Sequence, residues 1–167
     1  LAKANNMSDI LKIEKEIFII AGEEFNVNSP KQLSVILFDK LGLQTEKMKK
    51  RKGVTRSTGV EILEELAVEN EIAKKVLSYR ELQKLLSNYI LTIPKLVASD
   101  GRLHAKFLQN GATTGRFSST DPNMQNIPIK TELGRAIRGA FVAEEGKSLL
   151  SIDYSQIELR VLAILSG

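Results

Sequence analysis

The stretch Leu149-Leu150-Ser151-Ile152-Asp153-Tyr154-Ser155-Gln156-Ile157-Glu158-Leu159-Arg160 decides how the chain is read. Its first four residues form a short apolar run, which predicts a buried strand ending at Asp153. Residues 155–165 return to helical spacing. An acid where a strand gives way to a helix sits on rigid backbone and points outward. With the Tyr154 carbonyl it makes a pair of hard oxygen donors of the kind Mg²⁺ accepts beside phosphates. The same position is also a common helix N-cap, and both readings stand on the residues alone. Glu158 and Arg160, from their positions in the helix, read as a solvated face.

Upstream, residues 110–130 are rich in Gly, Ser, Thr, Asn and Pro, yet hold Arg116, Phe117, Met124, Gln125, Asn126 and Ile127. That mixture predicts an ordered loop. One cation with several amides and hydroxyls suits phosphate and minor-groove contacts, and equally a polar loop that satisfies its own backbone. Glu132 to Phe141 reads as a short basic helix. Leu103 to Phe107 alternates like a strand, and Asp100-Gly101 marks a turn. His104 stands alone in that strand pattern and is given no role.

The first 94 residues read as helical. Apolar residues at Ile10, Leu11, Ile13, Ile17, Phe18 and Ile20 give a helix over 7–21. Ser29-Pro30 reads as N-cap and first residue of a helix stopping at Gly42. Thr58 with Glu61 resembles a capping box opening a helix over Val60 to Ala67. A longer helix, about Glu71 to Ile90, carries Val76, Tyr79, Leu82, Leu85, Leu86 and Tyr89 along one side, with Pro94 beyond it. Between the second and third helices, residues 44–57 are almost devoid of apolar side chains. Lys47, Lys49, Lys50, Arg51, Lys52 and Arg56 against Glu46 give this stretch +5, more than the +4 of the whole chain. Such a cluster binds phosphate backbones without sequence preference, or merely keeps the surface soluble.

The 167 residues are 43% hydrophobic and 26% charged, a globular composition. No cysteine is present and only one histidine, which excludes a disulfide scaffold and argues against a zinc enzyme. No apolar run is long enough to cross a bilayer. Leu1 at the start and the apolar run ending at Gly167 predict an internal piece of a longer protein. The fold class expected is α+β, with a boundary near residue 95.

Two segments together carry more. ATTGRFSSTDPNMQNIP (112–128) followed by IDYSQIELR (152–160) resembles the family A DNA polymerases, and DYSQIELR resembles their motif A almost letter for letter. AGEEFNVNSPKQL (21–33) and YRELQKL (79–85) are similar to the family's thumb helices. The resemblance covers nearly the whole chain. It implies a right-hand polymerase in which residues 1–94 are the helical thumb, with a basic tip loop at about 44–57. Residues 95–167 would be the first part of an antiparallel-sheet palm.

The resemblance further implies that Asp153 is one of two catalytic carboxylates holding two Mg²⁺ ions, with help from the Tyr154 carbonyl. Tyr154, Ser155, Gln156 and Ile157 would line the floor under the incoming deoxynucleoside triphosphate, and Glu158 would close the pocket against a 2′-hydroxyl. Arg116, Asn123, Gln125, Asn126, Lys130 and Arg160 would contact primer-template DNA, as would Lys49, Lys50, Arg51 and Lys52. A second carboxylate in a His-Asp-Glu segment, and a helix with Arg, Lys and Tyr for the triphosphate, are absent from these 167 residues. The isolated chain is therefore expected not to polymerise. A monomer in the bacterial cytosol or nucleoid, with no membrane contact, is implied. The competing classes are a non-catalytic DNA-binding module of the same fold, a single-subunit RNA polymerase, and a helical interaction domain.

Overall fold

A computed structural model describes residues 2–45, 56–129 and 131–167. The chain divides into two compact units, one ending at Asn126 and the other spanning Ile127–Gly167.

The first unit is built on helices. α1 (Ala2–Ala21) buries Ile10, Ile17 and Ala21, spaced seven and four residues apart, so they fall on one stripe. It ends at Gly22, whose φ of +73° suits a residue without Cβ. Ser29 caps α2 (Pro30–Ser34), its side chain accepting from the Gln32 N–H, with Pro30 in the first turn. α2 runs on as a π-helical stretch, Val35–Lys40. The wider turn lets Ile36, Leu37 and Phe38, three consecutive residues, all face the core. Gly42, at φ +63°, ends it.

α3 (Val60–Ala67) and α4 (Glu71–Leu85) follow, and α4 continues as a second π-helical stretch, Leu86–Ile90. α4 packs against both α1 and α3. Ile17, Leu33, Leu37, Leu63 and Val76 have no exposed surface and form the centre of one core. The expected stripe on the long helix is buried at Val76, Tyr79, Leu85, Leu86 and Tyr89. The expected capping box at Thr58 does not form. Gly59 is the N-cap of α3, without a side-chain cap bond. Arg80 on α4 takes Thr58 instead, donating to both its carbonyl and its Oγ1, and Thr58 is buried there.

α5 (Ile93–Leu96) has Pro94 in its first turn. The Asp100-Gly101 turn is present: the Ala98 N–H donates to Arg102 O, and Val97 bridges Leu103. The strand expected over 103–107 is shorter and displaced. β1 (Lys106–Leu108) pairs antiparallel with β2 (Ser118–Thr120), with Phe107 opposite Ser119. His104 is not isolated, because Nε2 lies 2.8 Å from an Asp100 carboxylate oxygen. That hydrogen bond, followed by the Arg102 main-chain N–H, holds the Asp100 carboxyl below its ordinary pKa. Residues 95–126 thus pack with the helical unit, although the composition changes near residue 95.

The second unit holds α6 (Glu132–Gly139), capped by Thr131, and α7 (Ile157–Ser166). Gly134 lies against Pro128 so closely that an added Cβ would sit 2.7 Å from the proline Cβ. The strand expected over Leu149–Ile152 is not formed. The segment has no regular secondary structure, with Leu150 83% and Ile152 81% exposed. A strand is held by its ladder, and among the described residues of this unit no second strand offers one. Helices therefore dominate, with one two-stranded antiparallel sheet among the described residues. No described helix is long and apolar enough to cross a membrane.

Candidate functional site

Asp153 lies in the irregular segment that precedes the turn into α7, and its side chain is exposed. The chain then reverses at Gln156, which adopts φ +53°, ψ +37°, the left-handed region that non-glycine residues rarely enter. That turn separates Asp153 and Tyr154 from the helix. Ile157 and Glu158 open α7, with Glu158 in the first turn. Arg160 folds back on the turn: Nε donates to Ser155 O at 3.0 Å, and its N–H donates to Gln156 O at 3.1 Å. The unit therefore gathers Asp153 to Arg160 in one turn and one helical turn. Arg160 spends part of its guanidinium on shaping that turn. Asp153 is not the N-cap of α7, a position Gln156 occupies.

The Asp153 carboxylate and the Tyr154 carbonyl are consecutive oxygen donors, a set that matches a hard divalent cation. No cluster of three His, Cys, Asp or Glu side chains that could hold a metal ion occurs among the described residues.

In the first unit the loop after β2 is ordered by its own polar groups. Ser119 is buried, and its Oγ accepts from the Met124 N–H at 3.1 Å and donates to Pro122 O at 3.2 Å. The Asn123 side chain accepts from the Gln125 N–H at 3.0 Å. The Gln125 amide donates to Phe117 O at 2.7 Å, which fixes the backbone beside Arg116. Tyr89 donates to Asn126 O and ties the turn Met124–Asn126 to the end of α4. Arg116, Asn123, Gln125 and Asn126 are exposed and share this loop assembly. A cavity of about 290 Å³ lies beside it, lined by Asn88, Tyr89, Thr92, Asp121, Asn123 and Asn126 among others.

Lys49, Lys50, Arg51, Lys52 and Lys130 lie outside the described residues. The ends of the basic stretch do not: Thr45 is buried, and Arg56 pairs with Asp39. Sequence reasoning passed over Ser119 and Asp39, and read Tyr89 only as part of an apolar stripe. An inward-facing Ser in a polar loop, a Tyr in an apolar stripe and an Asp at a helix end carry no local signal of the partner each one finds.

The chain belongs to DNA polymerase family A, which matches residues 2–167. It is 53% identical over 165 residues to DNA polymerase I of Streptococcus pneumoniae, covering 98% of this chain and 19% of that protein. It is 52% identical over 164 residues to the thermostable DNA polymerase I of Thermus aquaticus, covering 95% of this chain and 19% of that protein. The fold matches the POL domain of Pol1 from M. smegmatis in complex with DNA primer-template and dNTP, with a TM-score of 0.82 and 37% identity. That match covers 98% of this chain and 29% of the other. The chain thus spans about a fifth of the length of the curated relatives it matches.

Proposed function

We propose that this chain is the thumb, residues 1–94, and the first part of the palm, residues 95–167, of a DNA-directed DNA polymerase. The observation that carries the reading is the family match over residues 2–167 with Asp153-Tyr154-Ser155-Gln156-Ile157-Glu158-Leu159-Arg160 intact. The substrates are primer-template DNA and deoxynucleoside triphosphates, and the parent works in the bacterial cytosol as a monomer.

Asp153 and the Tyr154 carbonyl would hold Mg²⁺, an ion that when bound neutralises phosphate charge and activates a hydroxyl nucleophile. Two such ions in the complete site correspond to a second carboxylate outside these residues. Tyr154, Ser155, Gln156 and Ile157 support the incoming nucleotide, on a backbone shaped by Arg160. Glu158 bars a 2′-hydroxyl. Arg116, Asn123, Gln125, Asn126, Lys130 and Arg160 hold the primer and template. Lys49, Lys50, Arg51 and Lys52 hold backbone phosphates in a salt-dependent way. The isolated chain binds DNA without extending it.

A graft tests this. The matching segment of the S. pneumoniae relative is replaced by this chain, and primer extension is measured. Extension that Asp153→Asn abolishes, and that Glu158→Ala opens to ribonucleotides, is expected. A graft that folds and binds primer-template yet never extends it would sink the enzyme reading and favour the DNA-binding module.

A further inference from the structure

We propose that Tyr89 is a positioning residue for primer-template binding: its hydroxyl, buried beside the loop after β2, sets the direction in which Asn126 meets the DNA. The inference rests on the reading, proposed above, that Asn126 contacts primer or template.

The short turn Met124–Asn126 is pinned at both ends by side chains that are themselves buried. At its first residue, Ser119 Oγ accepts from the Met124 N–H at 3.1 Å. At its last, the Tyr89 hydroxyl donates to Asn126 O. Ser119 comes from β2, and Tyr89 from the π-helical stretch that continues α4, so the turn is held between the hairpin and the helical core. Tyr89 is 4% exposed, too little to meet a duplex. Any effect it has on DNA passes through Asn126, whose side chain is exposed.

Packing alone does not fix Asn126. A cavity of about 290 Å³ is lined by Asn88, Tyr89, Thr92 and Leu96 on the helical side and by Asp121, Asn123 and Asn126 on the loop side. Across such a gap a directional bond holds what apolar contact does not. The preceding residues Leu85 and Leu86 are buried as well, and a phenylalanine would fill the Tyr89 position with no polar group to satisfy. The hydroxyl instead takes the carbonyl of the residue whose amide faces solvent. An asparagine amide reads donors and acceptors on a groove edge only within ordinary hydrogen-bond distance and angle. A small drift of its backbone therefore breaks the contact and leaves the fold intact.

Asn126→Ala removes the amide but keeps the main-chain carbonyl, and so keeps the Tyr89 bond. The two substitutions together separate positioning from folding. Primer-template binding by the 167-residue chain is read by fluorescence anisotropy, with urea midpoints beside it. Tyr89→Phe is expected to weaken binding about three- to tenfold with Asn126 present, and to change it by less than about 1.5-fold in Asn126→Ala. The urea midpoint should fall equally in both backgrounds, because the same carbonyl loses its partner. Asn126→Gln keeps the carbonyl and its bond and carries the amide one methylene further out. It is expected to bind as weakly as Asn126→Ala, and it decides the matter if Tyr89→Phe fails to fold. Undiminished binding by Tyr89→Phe or by Asn126→Gln overturns the proposal, as does an equal loss from Tyr89→Phe in both backgrounds. Failure of the underlying reading looks different: Asn126→Ala then binds as tightly as the unsubstituted chain, and the inference falls with that reading.

Discussion

Tyr89, at the end of the long helical run of α4, gives its phenolic hydrogen to the main-chain carbonyl of Asn126, 37 residues on. The bond links the helical core to the turn Met124–Asn126 in the loop after β2. Tyr89 is 4% exposed and burial raises its pKa, so the hydroxyl stays protonated and remains a donor at neutral pH. Tyr89→Phe keeps the ring and removes the donor. A loss of about 1–2 kcal/mol is expected from the carbonyl left without its partner. Hydrogen exchange reads the local consequence, with the Met124 and Gln125 amides losing protection. Unchanged protection there would show that the turn does not depend on Tyr89.

Ser119 makes a sharper case, because one buried hydroxyl serves two main-chain groups. Ser119→Ala strands the Met124 N–H and leaves Pro122 O one partner short. The expected loss is about 1–3 kcal/mol. Ser119 sits in β2, so its two bonds tie the loop to the end of that strand. Urea unfolding checks the value, and a change below about 0.5 kcal/mol would mean that water replaces the hydroxyl.

How far the sequence can be read depends on the range of the forces involved. Ser29 capping Gln32 is chemistry within four residues, and it forms as expected. Thr58 with Glu61 has the same local pattern and fails, because Arg80, 22 residues away, takes the threonine. Leu149–Ile152 has the composition of a buried strand, but pairing is not a property of four residues. DYSQIELR is legible because it is a contiguous string. The Gln125 bond to Phe117 and the Asp39–Arg56 pair are not legible, since nothing near either residue names its partner.

The pair Glu16–Lys75, at 2.8 Å, joins α1 to α4 and makes stability depend on pH at both ends. The hydrogen bond from Lys75 lowers the Glu16 pKa below its ordinary 4.5. Its contribution is therefore present above 4.5 and is lost as pH falls through the lowered value. Hydrogen bonds to Glu16 and Glu71 raise Lys75 above 10.5. That contribution is present below 10.5 and is lost as pH rises through the raised value. Tyr79, raised above 10.0 chiefly by burial, adds to the alkaline loss. Urea midpoints of Glu16→Gln and the parent chain should differ near neutral pH and converge below 4.5. A gap that stays constant into acid would exclude the pair as its source.

Leu37 sits on the π-helical stretch with no exposed surface, and its neighbours Ile36 and Phe38 are buried with it. Leu37→Ala removes a side chain from the middle of the core and leaves a cavity. The expected destabilisation is about 2–5 kcal/mol. Val35, on the same stretch, is 48% exposed, so Val35→Ala should stay within about 0.5 kcal/mol. Similar losses at the two positions would contradict the burial pattern that the wide turn creates.

Gln156 links backbone strain to the proposed chemistry. Its left-handed conformation costs a side-chain-bearing residue about 1–2 kcal/mol, which glycine avoids at the expense of a more flexible unfolded chain. Gln156→Gly should therefore firm the start of α7 by about 0.5–1 kcal/mol. The readout is the Arg160 amide, which bonds Gln156 O and should exchange more slowly. In the grafted polymerase the same substitution deletes a side chain from the proposed nucleotide floor, so extension should fall while the helix becomes firmer. Strain retained at a position where it weakens the fold fits a site held for function. Faster exchange at Arg160 in the glycine variant would show that the turn is not strained and that this link is wrong.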